Sequence, residues 1–593
     1  MKAGRGKHRG LKLVTCICFL LIVVALLLID RHSPATGYEL SIYESLPAAV
    51  WFCLIAALAG GTGIVVQQAF AGHKSKYWLL GFLLLMFGVS IVLLLPAFRG
   101  YYLYGASDSM VHARWTGRLL SEGHLRQNNG YPMTHILMAQ VAHVCDASPE
   151  VITKYIPPLF SILFVLYTYL LARSVMGKRG PALLSVAATA LFFGYYHVST
   201  YPQALSVMML PIVFYLYFEG FGTSSVPFRV AFVIVLLLFP FSHPAPAAVL
   251  IVCLLAAEAA KAIWRARRAA SSSVAREVMA RISFEPTLIS TVTFLTWISS
   301  VALMQSTISR VWFWLGGEIQ SIPRVTEIEQ MFESQGLGIH QQVELALKMY
   351  GDNLIYLSLS AIALLIIAWR FWRRQHEVKN LFILSMPFLI SGPVWVFVFA
   401  ATLAVTLGRL LGANIMMWAT PVLAAFALHE IFARWKRVGI VVVTSILLCA
   451  SVIGILGVYH SPHILQTSWQ ITRQDVHGSG WFSAHARLRF ERGFVNLGVA
   501  SLLPGWLTVP EHFGYPQDQT LGEALEMDTY VLVSEMLRLS TSHRGLPGPV
   551  LSPWAQIKFN QTDFQRLEQD PTVNRLYSNG ELEVLMVVAE SGA

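Results

Sequence analysis

Charge is what this chain has least of. Only 13% of its 593 residues are Asp, Glu, Lys or Arg while 55% are hydrophobic, and a soluble domain usually carries about 25% charged residues. Cysteine is also scarce. The six cysteines (Cys16, Cys18, Cys53, Cys145, Cys253 and Cys449) lie almost all inside apolar blocks. Their spacings fit neither metal ligation nor a disulfide framework, so they read as small buried hydrophobes. A Gly-rich nucleotide loop with its lysine and an HExxH pair in a suitable context are missing too, which leaves ATP-driven transport and zinc proteolysis without support. Nor is there a continuous basic stripe. The net charge of +10 comes from short Lys/Arg clusters set between apolar blocks. That pattern argues against a nucleic-acid partner and for membrane lipids.

What is present is a long series of apolar blocks. A helix needs about 20 apolar residues to cross the hydrocarbon core. About thirteen segments qualify or nearly qualify: 11–29, 47–70, 78–96, 149–173, 181–197, 201–218, 230–242, 244–263, 287–305, 353–369, 381–401, 412–433 and 440–460. The first has a basic start but is too long for a signal-peptide core and has no small-residue cleavage site before Arg31, so it is expected to stay as a helix. Alternating the spans places Lys2 to Lys12, Lys74/Lys76, Arg173/Lys178/Arg179, Arg229, Lys261 to Arg281, Arg370 to Lys379 and Arg434 to Arg437 on one side. The positive-inside rule makes that side cytoplasmic. The N-terminus is then cytoplasmic, and everything after Tyr459 is extracytoplasmic. The segment 131–147 keeps this alternation only as a short helix lying on, or dipping into, the outer surface.

The fold expected is an α-helical polytopic membrane protein with a small extracytoplasmic α/β C-terminal domain. The transmembrane part covers 1–460 with outer loops 97–148 and 306–352, and the soluble part covers 461–593. In the soluble part 529–534 reads as a strand, and Asn579-Gly580 between two strand-like runs signals a type I′ hairpin. Compact loops and the lack of an organelle signal point to a prokaryotic plasma membrane.

Ionisable groups at a membrane edge cost free energy, so they are where function is sought. The first outer loop holds Ser107-Asp108-Ser-Met-Val-His112-Ala-Arg114-Trp115. If Ser107 caps a helix, Asp108 lies in its first turn and His112 one turn on, on the same face. Such a carboxylate can take a proton from a sugar hydroxyl or, with His112, ligate a divalent cation. The plainer alternative is a capping Asp paired with its histidine. His197, in Gly194-Tyr-Tyr-His-Val, and His243, in Phe241-Ser-His-Pro-Ala-Pro, fall at span ends on the same side. Arg409, in Thr406-Leu-Gly-Arg-Leu-Leu-Gly412, is an arginine in a short connection between spans that the topology puts outside, suited to a lipid phosphate. The 306–352 loop, with Trp312, Trp314 and Glu318 to Glu333, is long enough to cover a site, and Asn560-Gln-Thr matches a glycosylation acceptor.

These features resemble the GT-C superfamily of membrane glycosyltransferases, which includes protein mannosyltransferases, aminoarabinose transferases and oligosaccharyltransferase catalytic subunits. The resemblance is carried by Asp108 in the first outer loop, Asn129-Gly-Tyr-Pro-Met-Thr-His, Ile156-Pro-Pro, Tyr201-Pro-Gln and Phe241-Ser-His-Pro. The ending Asn574-Arg-Leu-Tyr-Ser-Asn-Gly-Glu-Leu-Glu-Val adds to it. It implies transfer of a sugar from a polyprenyl-phosphate donor to a glycan, lipid or protein acceptor at the outer face, inverting at the anomeric carbon. Asp108 would be the base, with His112, Arg114, His197, His243 and Arg409 contacting substrate. Ser-Asp-Ser replaces an Asp-x-Asp pair, and no Trp-Trp-Asp-Tyr-Gly occurs, which speaks against transfer of a whole glycan to asparagine. The competing functions are a transporter or lipid flippase, and a glycan ligase or polymerase using a pyrophosphate-linked donor. The missing internal repeat and the near-edge position of the Pro-rich break weigh against transport.

Overall fold

Every one of the apolar blocks contains a helix. The computed structural model describes the chain except residue 1 and residues 72–74, 223–224, 269–283, most of 302–337, 402–417, 486–492, 495–511, 516–518, 526, 543–555, 559–560 and 589–593. In chain order come α1 (Lys2–Asp30), α2 (Ala48–Phe70), α3 (Trp78–Phe98), strand β1 (Leu103–Tyr104), α4 (Ala106–Glu122) and α5 (Pro132–Cys145). Then follow α6 (Pro149–Met176), α7 (Arg179–Ala190), α8 (Pro202–Gly222), α9 (Val226–Leu238) and α10 (Pro244–Arg268). The body closes with α11 (Glu285–Ser300), α12 (Ile339–Trp372), α13 (Lys379–Ala401), α14 (Thr420–Phe432) and α15 (Lys436–Val458). Among the described residues nine helical stretches are long and apolar enough to cross a membrane, with 420–458 taken as one. The chain is a multi-pass membrane protein.

Local chemistry explains the departures from the thirteen expected spans. α14 and α15 are two helices, as the two expected blocks require, with Lys436 at a positive φ of 45° between them; the departures lie elsewhere. α7 stops at Ala190 and the chain is extended at Gly194, so His197 sits in a 3₁₀ turn rather than on the helix. α6 is delimited at both ends: the Ser148 hydroxyl accepts from the Val151 amide at 3.4 Å, Pro149 opens the first turn, and Gly177 ends the helix with φ 63°. The outward faces carry exposed Leu20, Phe52, Phe87, Leu237, Leu365 and Val441, as lipid-facing surfaces do. The inner faces of α2, α3, α6, α7, α8, α10, α12 and α14 share one apolar core.

The bundle has two distinct ends. At one, the basic connections meet: Arg179 donates to the Ser75 carbonyl, Lys178 pairs with Glu377 at 2.6 Å, and Arg370 pairs with Glu430. At the other end the C-terminal region docks. Strand β2 (Gln470–Ile471) pairs antiparallel with β1 in the register Leu103↔Ile471, and helix α16 (Arg473–His485) follows. The 31–46 connection stitches body and tail together. Tyr38 donates to the Ser468 carbonyl at 2.8 Å, the Glu39 amide donates to Gln470 Oε1 at 2.7 Å, and Arg99 forms an ion pair with Glu39.

The rest of the tail is α/β. Strands β3 (Gly493–Phe494), β5 (Tyr530–Ser534), β7 (Val573–Ser578) and β8 (Leu582–Val587) form a sheet in the order β3-β5-β8-β7. A second pair joins β4 (His512–Gly514) to β6 (Gln556–Lys558). The expected strand at 529–534 and the hairpin around Asn579-Gly580 are both present, with one difference. Within the turn only Gly580 has positive φ, at 90°, and Asn579 Oδ1 instead accepts from the Leu582 amide at 2.8 Å. An Asn side-chain turn thus replaces the type I′ geometry, which needs positive φ at both central residues.

Candidate active site

The tail-bearing end of the bundle is where α4 begins. Gly105 precedes it with φ 119°, and no side chain caps the helix. Ser107 is therefore inside the helix rather than its cap. Asp108 occupies the first turn and is half-buried. The next residue anchors the turn: the Thr200 amide donates to Ser109 Oγ at 3.2 Å, and Thr200 Oγ1 donates to the Thr153 carbonyl of α6 at 3.0 Å.

One turn along, His112 is buried and faces α5, with its Nδ1 3.0 Å from His135 Nε2. His135 Nδ1 lies 2.9 Å from Asn129 Oδ1. Burial pushes the His112 pKa down to about 3, helped by the nearby imidazoles of His135 and His243, and that of His135 down to about 4. Both rings are neutral at physiological pH. The Tyr131 ring touches two of these histidines. It stacks on His243 with centroids 4.7 Å apart and planes 5° from parallel, and it meets His112 edge-on at 6.1 Å. His243 sits at the Pro-rich break between α9 and α10, where the sequence places a helix interruption. His112 and His243 are therefore brought together against Tyr131, and Asp108 lies one turn before His112 on α4.

Arg114 lies on another face of α4, half-buried and within electrostatic reach of Tyr102. Tyr102 is raised to about 12 by burial and by its hydrogen bond to Glu150, against the pull of Arg473 and Arg114. Lys154, two turns into α6, is close to both Arg473 and Glu150. Arg114 and Arg473 thus both act on Tyr102, which bonds Glu150, and Lys154 lies near Arg473 and Glu150. Lys154 also lines an apolar recess with Leu93, Pro96, Leu103 and Val198. Sequence reasoning missed Lys154, Arg473, His135 and Asn129 as site residues. The first two carry the same signal that singles out Arg409, a cation on the side where basic residues are scarce.

His197 is not brought to this group. It is buried, its ring is edge-on to Phe192 at 6.5 Å, and its Nε2 has no hydrogen-bond partner among the described residues. Arg409, Trp314, the acidic run Glu318 to Glu333 and Asn560 lie outside the described residues. A divalent cation finds two candidate ligands here, Asp108 and His112. Among the described residues no three His, Cys, Asp or Glu side chains come together to hold one.

Fold and site together define a multi-pass helical membrane protein with a polar, imidazole-rich site under a docked α/β tail. By sequence the chain matches no family model and no curated protein. Solved structures similar to it include those of an archaeal oligosaccharyltransferase. The Archaeoglobus fulgidus oligosaccharyltransferase in complex with Zn and sulfate is 12% identical, with 82% of this chain and 71% of that chain covered and a TM-score of 0.49. Its apo form is 13% identical over 87% of this chain and 75% of that one, at a TM-score of 0.48. The archaeal oligosaccharyltransferase AglB from the same organism, in complex with an inhibitory peptide and a dolichol-phosphate, is 11% identical. It covers 72% of this chain and 64% of that chain at a TM-score of 0.45.

Proposed function

We propose that this protein transfers a sugar from a polyprenyl-phosphate-linked donor to a glycan, lipid or protein acceptor at the outer face of the plasma membrane. The observation that carries the reading is the setting of Asp108. It stands in the first turn of α4, one turn before His112 of the imidazole–tyrosine cluster, on the helix that also carries Arg114, while Lys154 and Arg473 lie near Tyr102 in the segment before that helix. Inverting displacement needs two things at once. The acceptor hydroxyl must lose a proton as it attacks the anomeric carbon, and the departing lipid phosphate must have its negative charge met. Asp108 takes the proton as general base, an effect worth about 10²–10⁴-fold. The cation group stabilises the phosphate as it leaves. The tail-bearing end is then extracytoplasmic, and the opposite end, where the basic connections meet, is cytoplasmic.

The test uses purified full-length protein with polyprenyl-phosphate sugars, scored for released lipid phosphate. Asp108→Asn should lower turnover at least 100-fold while the protein remains inserted and folded. Full activity in that variant removes Asp108 as the base. No turnover with any such donor removes the transferase reading and favours a transporter.

A further inference from the structure

We propose that Asp352 is a proton-binding site: a carboxyl held neutral between α12 and α15 near the tail-bearing end of the bundle, whose proton stabilises the packing of the two helices. The site stands apart from Asp108 and does not depend on the transferase reading.

Asp352 lies where the 306–352 connection passes into the apolar block beginning at 353, yet it is only 2% exposed. It reaches that depth because α15 presents a glycine to it, one turn before the helix ends at Val458. A Cβ at Gly454 would lie 3.0 Å from Asp352 Oδ2 and 3.1 Å from the Cβ of Phe193, so the carboxyl and the turn after α7 both pack on bare backbone. Oδ1 accepts from the Asn353 side-chain amide at 3.0 Å. Oδ2 has no hydrogen-bond partner among the described residues. Neither has Asn353 Oδ1, nor Ser451 Oγ one turn along the buried face of α15.

A charge placed there would meet no opposite charge among the described residues. On α12 itself, Lys348 is paired with Glu344 at 2.8 Å, with His463 beside both. Tyr356, one turn on, donates to the Ala188 carbonyl at 2.5 Å, and Tyr350 is turned towards Tyr196. The buried face of α15 carries no titratable side chain. The turn after α7 brings Tyr195, Tyr196 and His197, all uncharged when deprotonated or phenolic. The charges of α13 and α14, Lys379 and Glu430, belong to the opposite end, where Arg370 holds Glu430. Taking an ionised carboxylate out of water without a partner costs far more than taking a neutral carboxyl, so the group keeps its proton. The hydrogen-bond inventory agrees. Acceptors exceed donors, and the one side-chain amide donor is spent on Oδ1. A proton on the carboxyl supplies the missing donor. Its release leaves a bare charge that only entering water can solvate.

Two measurements test this. In the first, full-length protein carrying aspartate ¹³C-labelled at the side-chain carboxyl is placed in lipid nanodiscs and followed by infrared spectroscopy as pH is raised. An ordinary aspartate titrates at about 3.9 and is ionised by about pH 6. A carboxylic-acid carbonyl band should persist at that pH and be missing in Asp352→Asn. Matching spectra overturn the proposal, and Asp352→Ser gives the same comparison if the Asn variant does not fold. In the second, unfolding of wild type and variant is compared across pH. Asp475, His112 and His135 titrate in both proteins, so their share cancels in the difference. The folded wild type keeps a proton that the unfolded chain releases. Its unfolding constant should therefore rise, relative to the variant's, by about tenfold per pH unit between about pH 4 and the midpoint of the infrared band. Parallel curves overturn the proposal. A difference that follows sodium concentration at fixed pH, rather than pH, assigns the site to a metal cation and overturns it too.

Discussion

Asp108 and His112 were legible from spacing, because a first-turn position and its i+4 neighbour are properties of one helix. Asn129 and His135 were not. Their partnership with His112 crosses from α4 to the loop before α5 and to α5 itself, and no local pattern announces such a contact. Removing a member of this chain has a cost that can be stated. Asn129→Ala leaves the Tyr131 amide and the His135 Nδ1–H without their shared acceptor, and should destabilise by about 1–3 kcal/mol in thermal unfolding of the detergent-solubilised protein. The pH dependence has a definite sign. Folding lowers the pKa values of His112 and His135 to about 3 and about 4 from the ordinary 6.5. The stability held by the neutral pair is complete above about pH 6.5 and is lost progressively as pH falls towards those values. Unfolding midpoints taken from pH 7 to pH 4 should fall, and His135→Gln should flatten the slope.

At the scale of elements, the apolar blocks gave away their helices through length and composition alone. Their ends were harder to read. α4 shows why: its start is fixed by backbone shape at Gly105 rather than by a capping side chain. A side chain at this position would suffer twice. The φ of 119° suits glycine, and an added Cβ would come within 2.3 Å of Ser109 Oγ and 2.8 Å of Ser199. Gly105→Ala should therefore shift the first turn of α4 and carry Asp108 with it. We expect roughly 1–3 kcal/mol of destabilisation and a loss of transfer larger than that figure alone explains, measured by unfolding and turnover on the same preparation. α7 teaches a similar lesson. Its apolar block runs on to His197, yet the helix ends at Ala190 and His197 falls in a separate 3₁₀ turn.

At the scale of the whole molecule, the alternation of basic clusters anticipated how the connections group. Arg179, Lys178 and Arg370 do meet the loops at one end of the bundle. What no sequence pattern indicated was how tightly the tail is fastened to the other end. Asp475 reports on that fastening. Burial, joined by the nearby Glu581, raises its pKa to about 6, while its hydrogen bonds to Thr472 pull the other way. A raised carboxyl binds protons in the folded state that the unfolded chain has released. Tail attachment should therefore weaken as pH rises from about 4 to about 6, by an amount on the order of 2 kcal/mol. Limited proteolysis of the tail across that range should show it, and Asp475→Asn should remove the dependence. The strand pair that joins Tyr104 to Gln470 has a further consequence, in the order of events during synthesis. The Gly105 amide donates to the Trp469 carbonyl at 3.0 Å, so the start of α4 is held by a residue made hundreds of positions later. A ribosome that has delivered Asp108 has not yet delivered what aims it. Partly made chains already in the bilayer would carry the carboxylate but not its bearing, and under the proposed function transfer should begin only when the finished tail returns to close the ring.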